Sequence, residues 1–142
     1  MREKQAYNLL FVCWIIAMIA SLGSLFFSSI MNFVPCTLCW YQRICMYPLV
    51  LIFLTALIRF EKSVFYYSSS LIAIGWFISL YHNLVQLKII PEEASPCVQG
   101  VPCAMKYINW LGFITIPMLS FFAFSILLSL MYLFYRRFVN EK

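Results

Sequence analysis

Residues 35–58 read PCTLCWYQRICMYPLVLIFLTALI. From Cys39 to Ile58 the only charge is Arg43, and the run is about as long as the ~20 residues a helix needs to cross the hydrocarbon core of a bilayer. Its head is different. Two cysteines, Cys36 and Cys39, are separated by two residues and follow Pro35. Pro35 suits the first turn of a helix, where its missing N–H has no intrahelical partner anyway. Pro48 falls inside the run, where a kink is expected.

Working outward, three more apolar runs appear, at about 7–30, 64–87 and 110–135. The first holds Ala17, Ala20, Ser21 and Ser24 at helical spacing, a face of small residues that lets membrane helices approach closely. A cleaved signal peptide is the competing reading, but the apolar character continues through Leu25-Phe26-Phe27, beyond a signal's short core. The chain of 142 residues is 64% hydrophobic and only 11% charged. A soluble domain of that size cannot hide so much apolar surface. The expected fold is therefore an all-α membrane protein, a four-transmembrane-helix bundle forming one integral membrane domain over 1–142, with lipid as the solvent for most of it.

The net charge of +5 does not point to nucleic acid. The basic residues sit at the ends of apolar runs, where topology signals belong, and form no stripe interleaved with aromatics. With four spans both termini share a side. That side carries Arg2, Lys4, Arg59, Lys62, Arg136, Arg137 and Lys142, against Arg43, Lys88 and Lys106 on the other. Seven against three predicts cytoplasmic termini in a cell membrane and places both cysteine-bearing loops outside. Trp40, Tyr41, Tyr81 and Trp110 then form an aromatic belt at the outward interface.

Four of the six cysteines form two close pairs, Cys36 with Cys39 and Cys97 with Cys103, at or beyond the ends of apolar runs. Cys13 and Cys45 lie inside runs and read as small apolar residues. Two thiols at the start of a helix feel its unpaired N–H groups, which favour the nucleophilic thiolate. Arg43, four residues after Cys39, shares their face and can stabilise a thiolate or hold a cofactor's polar head; a snorkelling interfacial cation is the plainer alternative. The second pair lies in a proline-rich loop of about twenty residues, 88–109, long enough to suggest function. In an oxidising compartment it can also be a simple staple. His82, the only histidine, is either an interfacial hydrogen-bonding residue or a donor to a redox cofactor. Zinc held by the four paired cysteines is disfavoured, because the first pair heads a membrane span instead of organising a soluble lobe; no metal is expected.

The motif Pro-Cys-Thr-Leu-Cys-Trp-Tyr-Gln-Arg at 35–43, the second cysteine pair between the third and fourth spans, and Tyr81-His82-Asn83-Leu84-Val85-Gln86-Leu87 resemble the DsbB family of disulfide bond formation membrane proteins. The BdbC-type members of Gram-positive bacteria are the nearer likeness, and it covers nearly the whole chain. The resemblance implies a membrane thiol–disulfide oxidoreductase that reoxidises an extracytoplasmic thioredoxin-fold partner of the DsbA or BdbD type and passes the electrons to membrane quinone. Menaquinone is favoured over ubiquinone by the Gram-positive likeness. It further implies that Cys97 forms the mixed disulfide with the partner, Cys103 is its mate, Cys36 receives the electrons, and Cys39 faces quinone. Arg43 would lie beside the quinone head and His82 would make a weaker contact. Only five residues separate Cys97 and Cys103; the helix that the better-known proteobacterial members carry there is missing.

Two other functions are compatible with the composition. A vitamin K epoxide reductase-like enzyme has similar ingredients, but there the Cys-x-x-Cys follows the loop pair, whereas here it precedes it. A disulfide-stapled membrane scaffold without turnover would keep both pairs oxidised and tolerate replacement of Arg43.

Overall fold

The structure is a computed structural model that describes residues 2–97, 102–103 and 115–139. Four helices are long and apolar enough to span a membrane: α1 (Arg2–Ser29), α2 (Thr37–Ile58), α3 (Val64–Gln86) and α4 (Ile116–Phe134). There is no strand among the described residues. Each helix packs on the next and α4 returns to α1, closing a four-membered ring. The result is the expected all-α multi-pass membrane bundle.

α1 starts earlier than the apolar run that begins near Tyr7. Glu3 sits in its first turn, where a carboxylate complements the positive end of the helix. α2 starts two residues later than Pro35 suggests. Pro35 precedes the helix, Cys36 caps it in an extended conformation, and Cys39 is its third residue. α4 is described from Ile116, with Pro117 in its first turn. Residues 110–114, Trp110 included, lie outside the described residues. Past Phe134 the chain continues as a π-helix over Tyr135–Val139 that carries Arg136 and Arg137.

Inside the ring, Leu10, Cys13 and Ala17 of α1 meet Cys45, Leu49 and Phe53 of α2, Ile72 of α3, and Phe124, Leu127 and Met131 of α4. Cys13 and Cys45 are buried free thiols in this apolar core. Outside, Ile19, Ile44, Leu51 and Phe77 are more than 60% exposed. A helix that is apolar on both faces needs lipid on its outer one. Gly75 of α3 lets the Phe124 ring of α4 lie against the backbone, where a Cβ would collide with it.

Polar crosslinks fix the register of α3 against α4. Trp76 Nε1 donates to Ser125 Oγ at 3.0 Å. Asn83 Nδ2 donates to the Pro117 carbonyl at 3.0 Å, and Thr115 Oγ1 donates to Gln86 Oε1 at 2.6 Å. Such bonds average about 0.6 kcal/mol each in membrane proteins, so their main effect is to fix geometry.

α3 ends in a Schellman turn. Lys88 N–H bonds to the Val85 carbonyl and Ile89 N–H to the Leu84 carbonyl, with Lys88 in the left-handed region at φ 58°. The chain then folds back over the end of the bundle through a single 3-10 turn, Glu92–Ala94. Tyr81 Oη donates to the Ala94 carbonyl at 3.1 Å and pins that return. Cys97 follows.

Candidate functional site

The site is assembled from the start of α2, the last turns of α3, the start of α4 and the returning loop. Cys97 and Cys103 are joined by a disulfide, with their Cα atoms 5.7 Å apart. Cys36 and Cys39 are not bonded. Cys36, Cys97 and Cys103 are all buried, in a small cluster with Leu38 and Val85. The sulfurs of Cys36, Cys97 and Cys103 lie within 4.8 Å of one another. The two pairs therefore meet directly, across the short second loop. The residues between Cys97 and Cys103 other than Pro102 lie outside the described residues.

Cys36 and Cys39 are one helical turn apart, and their sulfurs are separated by 3.1 Å. The Cys39 thiol donating to Cys36 is the main reason the Cys36 thiol is held well below its ordinary range. Burial opposes this, and the imidazole of His82 adds to it. Cys36 also sits at the end of α2 where backbone N–H groups are unpaired. These effects together favour the thiolate at Cys36 and make it the better leaving group of the pair in thiol exchange.

His82 is 1% exposed, not an interfacial residue. Its Nε2 is 3.7 Å from Cys36 Sγ and 3.3 Å from the Cys103 carbonyl oxygen. Its Nδ1 faces Gln42 Nε2 at 3.2 Å. The Ser120 hydroxyl of α4 donates to Gln42 Oε1 at 2.9 Å. With its oxygen occupied by Ser120, Gln42 turns its NH₂ to Nδ1. In this arrangement the ring proton is on Nε2, directed at Cys36 and the Cys103 carbonyl. Gln42 and Ser120 have no role in the sequence reading. Gln42 is conspicuous only as a polar residue in an apolar run, and nothing local marks Ser120 as its partner.

Arg43 reaches α1. Its Nε donates to Ser24 Oγ at 2.7 Å and Nη2 to the Ser24 carbonyl at 2.8 Å, while the guanidinium lies 5.4 Å from the centre of the Trp40 ring. It is a fixed cation, not a snorkelling one. Beside it a cavity of about 480 Å³ opens between α1, α2 and α4. Cys39, Arg43, His82 and Gln86 contribute its polar wall, and residues such as Met46 and Phe122 its apolar one. Ser21 Oγ and Tyr47 Oη, on two lining residues, are buried without a hydrogen-bond partner. The cavity thus joins a thiol, a cation and an apolar wall, and these residues fit a quinone. All six sequence-derived site residues fall in this one region: Cys36, Cys97, Cys103 and His82 at its centre, Cys39 and Arg43 on the cavity side.

A four-helix membrane bundle that brings two cysteine pairs into contact has the parts that thiol–disulfide exchange requires. The family model described as "Disulfide bond formation protein DsbB" matches residues 5–134, and the chain belongs to that family. Disulfide bond formation protein C of Bacillus subtilis (strain 168) is 50% identical over 128 residues, covering 90% of this chain and 93% of the relative. A probable disulfide formation protein C of Halalkalibacterium halodurans is 48% identical over 125 residues, covering 88% and 91%. A probable disulfide formation protein of Oceanobacillus iheyensis is 47% identical over 128 residues, covering 89% and 88%. No solved structure gave a significant match.

Proposed function

We propose that the protein reoxidises an extracytoplasmic thioredoxin-fold partner of the DsbA or BdbD type and delivers the electrons to membrane quinone, menaquinone in preference to ubiquinone. The reading rests chiefly on one observation: Cys36 Sγ lies within 4.8 Å of both sulfurs of the Cys97–Cys103 bridge. Its termini are cytoplasmic and its cysteine loops external, on the distribution of basic residues.

The exchange runs in four displacements. A thiolate of the reduced partner attacks Cys97, forming a mixed disulfide and releasing Cys103 as thiolate. The partner's second thiolate breaks that mixed disulfide, leaving the partner oxidised and Cys97 reduced. Cys103 then attacks Cys36 of an oxidised Cys36–Cys39 pair and releases Cys39. Finally Cys97 attacks Cys103, restores the Cys97–Cys103 disulfide and releases Cys36 as thiolate. Two electrons and the protons of two thiols have moved from the partner to Cys36–Cys39. His82 Nε2–H stabilises the departing Cys36 sulfur, and burial keeps competing thiols away. Cys39 and Arg43 would hold a quinone at the cavity wall, and the quinone would be the two-electron acceptor for re-forming the Cys36–Cys39 disulfide. Arg43 holds a positive charge there.

The test uses the purified protein in detergent with a reduced thioredoxin-fold partner and menaquinone, following partner thiols and quinone absorbance together. Quinone-dependent loss of partner thiols is expected. Its absence in the wild type overturns the reading and leaves the scaffold alternative. Cys36→Ser and Cys39→Ser each abolish turnover, whereas Cys13→Ala and Cys45→Ala leave it near wild type.

A further inference from the structure

We propose that the reduced Cys36–Cys39 pair and His82 form a binding site for a soft divalent cation, zinc in the cell, whose occupancy stops turnover. The two sulfurs and a ring nitrogen of His82 all lie within 4.8 Å of one another. With Zn–S near 2.3 Å and Zn–N near 2.05 Å, a tetrahedral site has a sulfur–nitrogen edge of about 3.6 Å and a sulfur–sulfur edge of about 3.8 Å. The Cys36 Sγ to His82 Nε2 distance is 3.7 Å, already the required edge. The Cys36–Cys39 separation is 3.1 Å, so the sulfurs must part by a fraction of an ångström. Cys36, Cys97 and Cys103 also cluster, but the last two are bonded to each other and offer no thiolate.

The surroundings of His82 suit ligation. A metal-bound imidazole donates its other N–H to an oxygen acceptor. Nε2 must give up its proton to bind, so the proton moves to Nδ1 and Gln42 must present its oxygen instead of its NH₂. The partners for that turned amide are in place. Ser120 Oγ can accept from the Gln42 NH₂ and direct its own proton to the Pro117 carbonyl, which lies 3.3 Å away. Gln42, Ser120 and His82 Nδ1 therefore stay paired in both arrangements, and the Cys103 carbonyl gives up the Nε2 proton it faces in the metal-free site. Binding displaces the proton that the Cys36–Cys39 pair retains and involves no change of oxidation state. The cavity beside Cys39 and His82 provides entry. With both thiolates ligated, neither is free to re-form the disulfide; this consequence rests on the redox cycle proposed above.

Cadmium is the probe, because thiolate ligation gives an ultraviolet charge-transfer band. The full-length protein in detergent, with Cys36–Cys39 reduced and no quinone or partner present, is titrated with Cd²⁺. One cadmium per chain is expected, with the band lost in Cys36→Ser and Cys39→Ser and kept in Cys13→Ala. Gln42→Leu weakens binding by about 10- to 100-fold, and Gln42→Glu restores or tightens it. A wild type without the band, or equal affinity in His82→Ala and Gln42→Leu, overturns the site. In the coupled assay zinc stops partner oxidation and a chelator restores it; unaffected turnover overturns the regulatory role. A protein that binds cadmium at this site but oxidises no partner sinks the redox function and leaves the site standing.

Discussion

Nε2 of His82 lies 3.7 Å from Sγ of Cys36, a residue forty-six positions earlier, and Nδ1 of the same ring is held by Gln42. One face of the imidazole serves the thiol and the other is fixed by the helix that carries that thiol. His82→Ala is therefore expected to slow exchange between the two cysteine pairs by about 10²-fold, the lower end for a positioned proton donor. Gln42→Leu leaves Nδ1 unpaired and slows exchange by about tenfold, a cost within the ~1–3 kcal/mol of a buried unsatisfied group. Acid-quenched trapping of the disulfide intermediates reads both.

The Cys36 thiol is pushed below its ordinary range by Cys39 and, less, by His82. Its alkylation by iodoacetamide, with a chelator present, should stay fast as pH falls well below the ordinary thiol value of about 8.5. Cys39→Ala removes the main donor and moves the profile upward. The sign for stability follows. A depressed thiol pKa stabilises the folded dithiol form fully above pH ~8.5, and the contribution is lost as pH falls toward the depressed value. Unfolding of the Cys36–Cys39-reduced protein across that range measures it.

Arg43 is tied to Ser24 by two short bonds, so its charge at the cavity wall has one position. Arg43→Ala is expected to raise the KM for quinone by about tenfold, the loss of one charge-assisted hydrogen bond, with the Cys97–Cys103 disulfide intact. Ser24→Ala should shift it in the same direction by less. Steady-state kinetics with thiol counting separates this from loss of the fold.

Gly75 has the Phe124 ring where its Cβ would be. Gly75→Val should destabilise the bundle by about 1–3 kcal/mol through overpacking. Phe124→Ala in the same chain should recover part of the loss, which unfolding in mixed detergent micelles will show.

Lys88 occupies the left-handed position of the Schellman turn that ends α3. A side chain there costs about 1 kcal/mol relative to glycine, so Lys88→Gly is expected to stabilise the protein by about that amount in the same unfolding assay.

The four spans, the two close cysteine pairs, and Arg43 and His82 as polar residues near them were legible along the chain. Each is written locally, as a run of apolar residues of bilayer length, a spacing of two between cysteines, or a lone polar residue in an apolar run. The helix boundaries were less so. Pro35 is compatible with the first helical turn, yet it stands before Cys36, because Cys36 itself adopts the extended capping conformation.

What the sequence by itself determined is a lipid-soluble four-helix chain with one dithiol at a helix mouth and a second pair in a loop. Lipid leaves a helix few choices beyond length and apolarity, so those features need no partner to be read. Only the tertiary structure decided that Cys36 lies against the Cys97–Cys103 bridge, that Gln42 and Ser120 stand behind His82, and that Arg43 is anchored to Ser24. These contacts join residues 19 to 78 positions apart. Their geometry depends on how α1–α4 rotate and slide against one another, and interhelical packing sets that register. The outer face of each helix meets the same lipid whatever the register, so the hydrophobic pattern alone does not encode it.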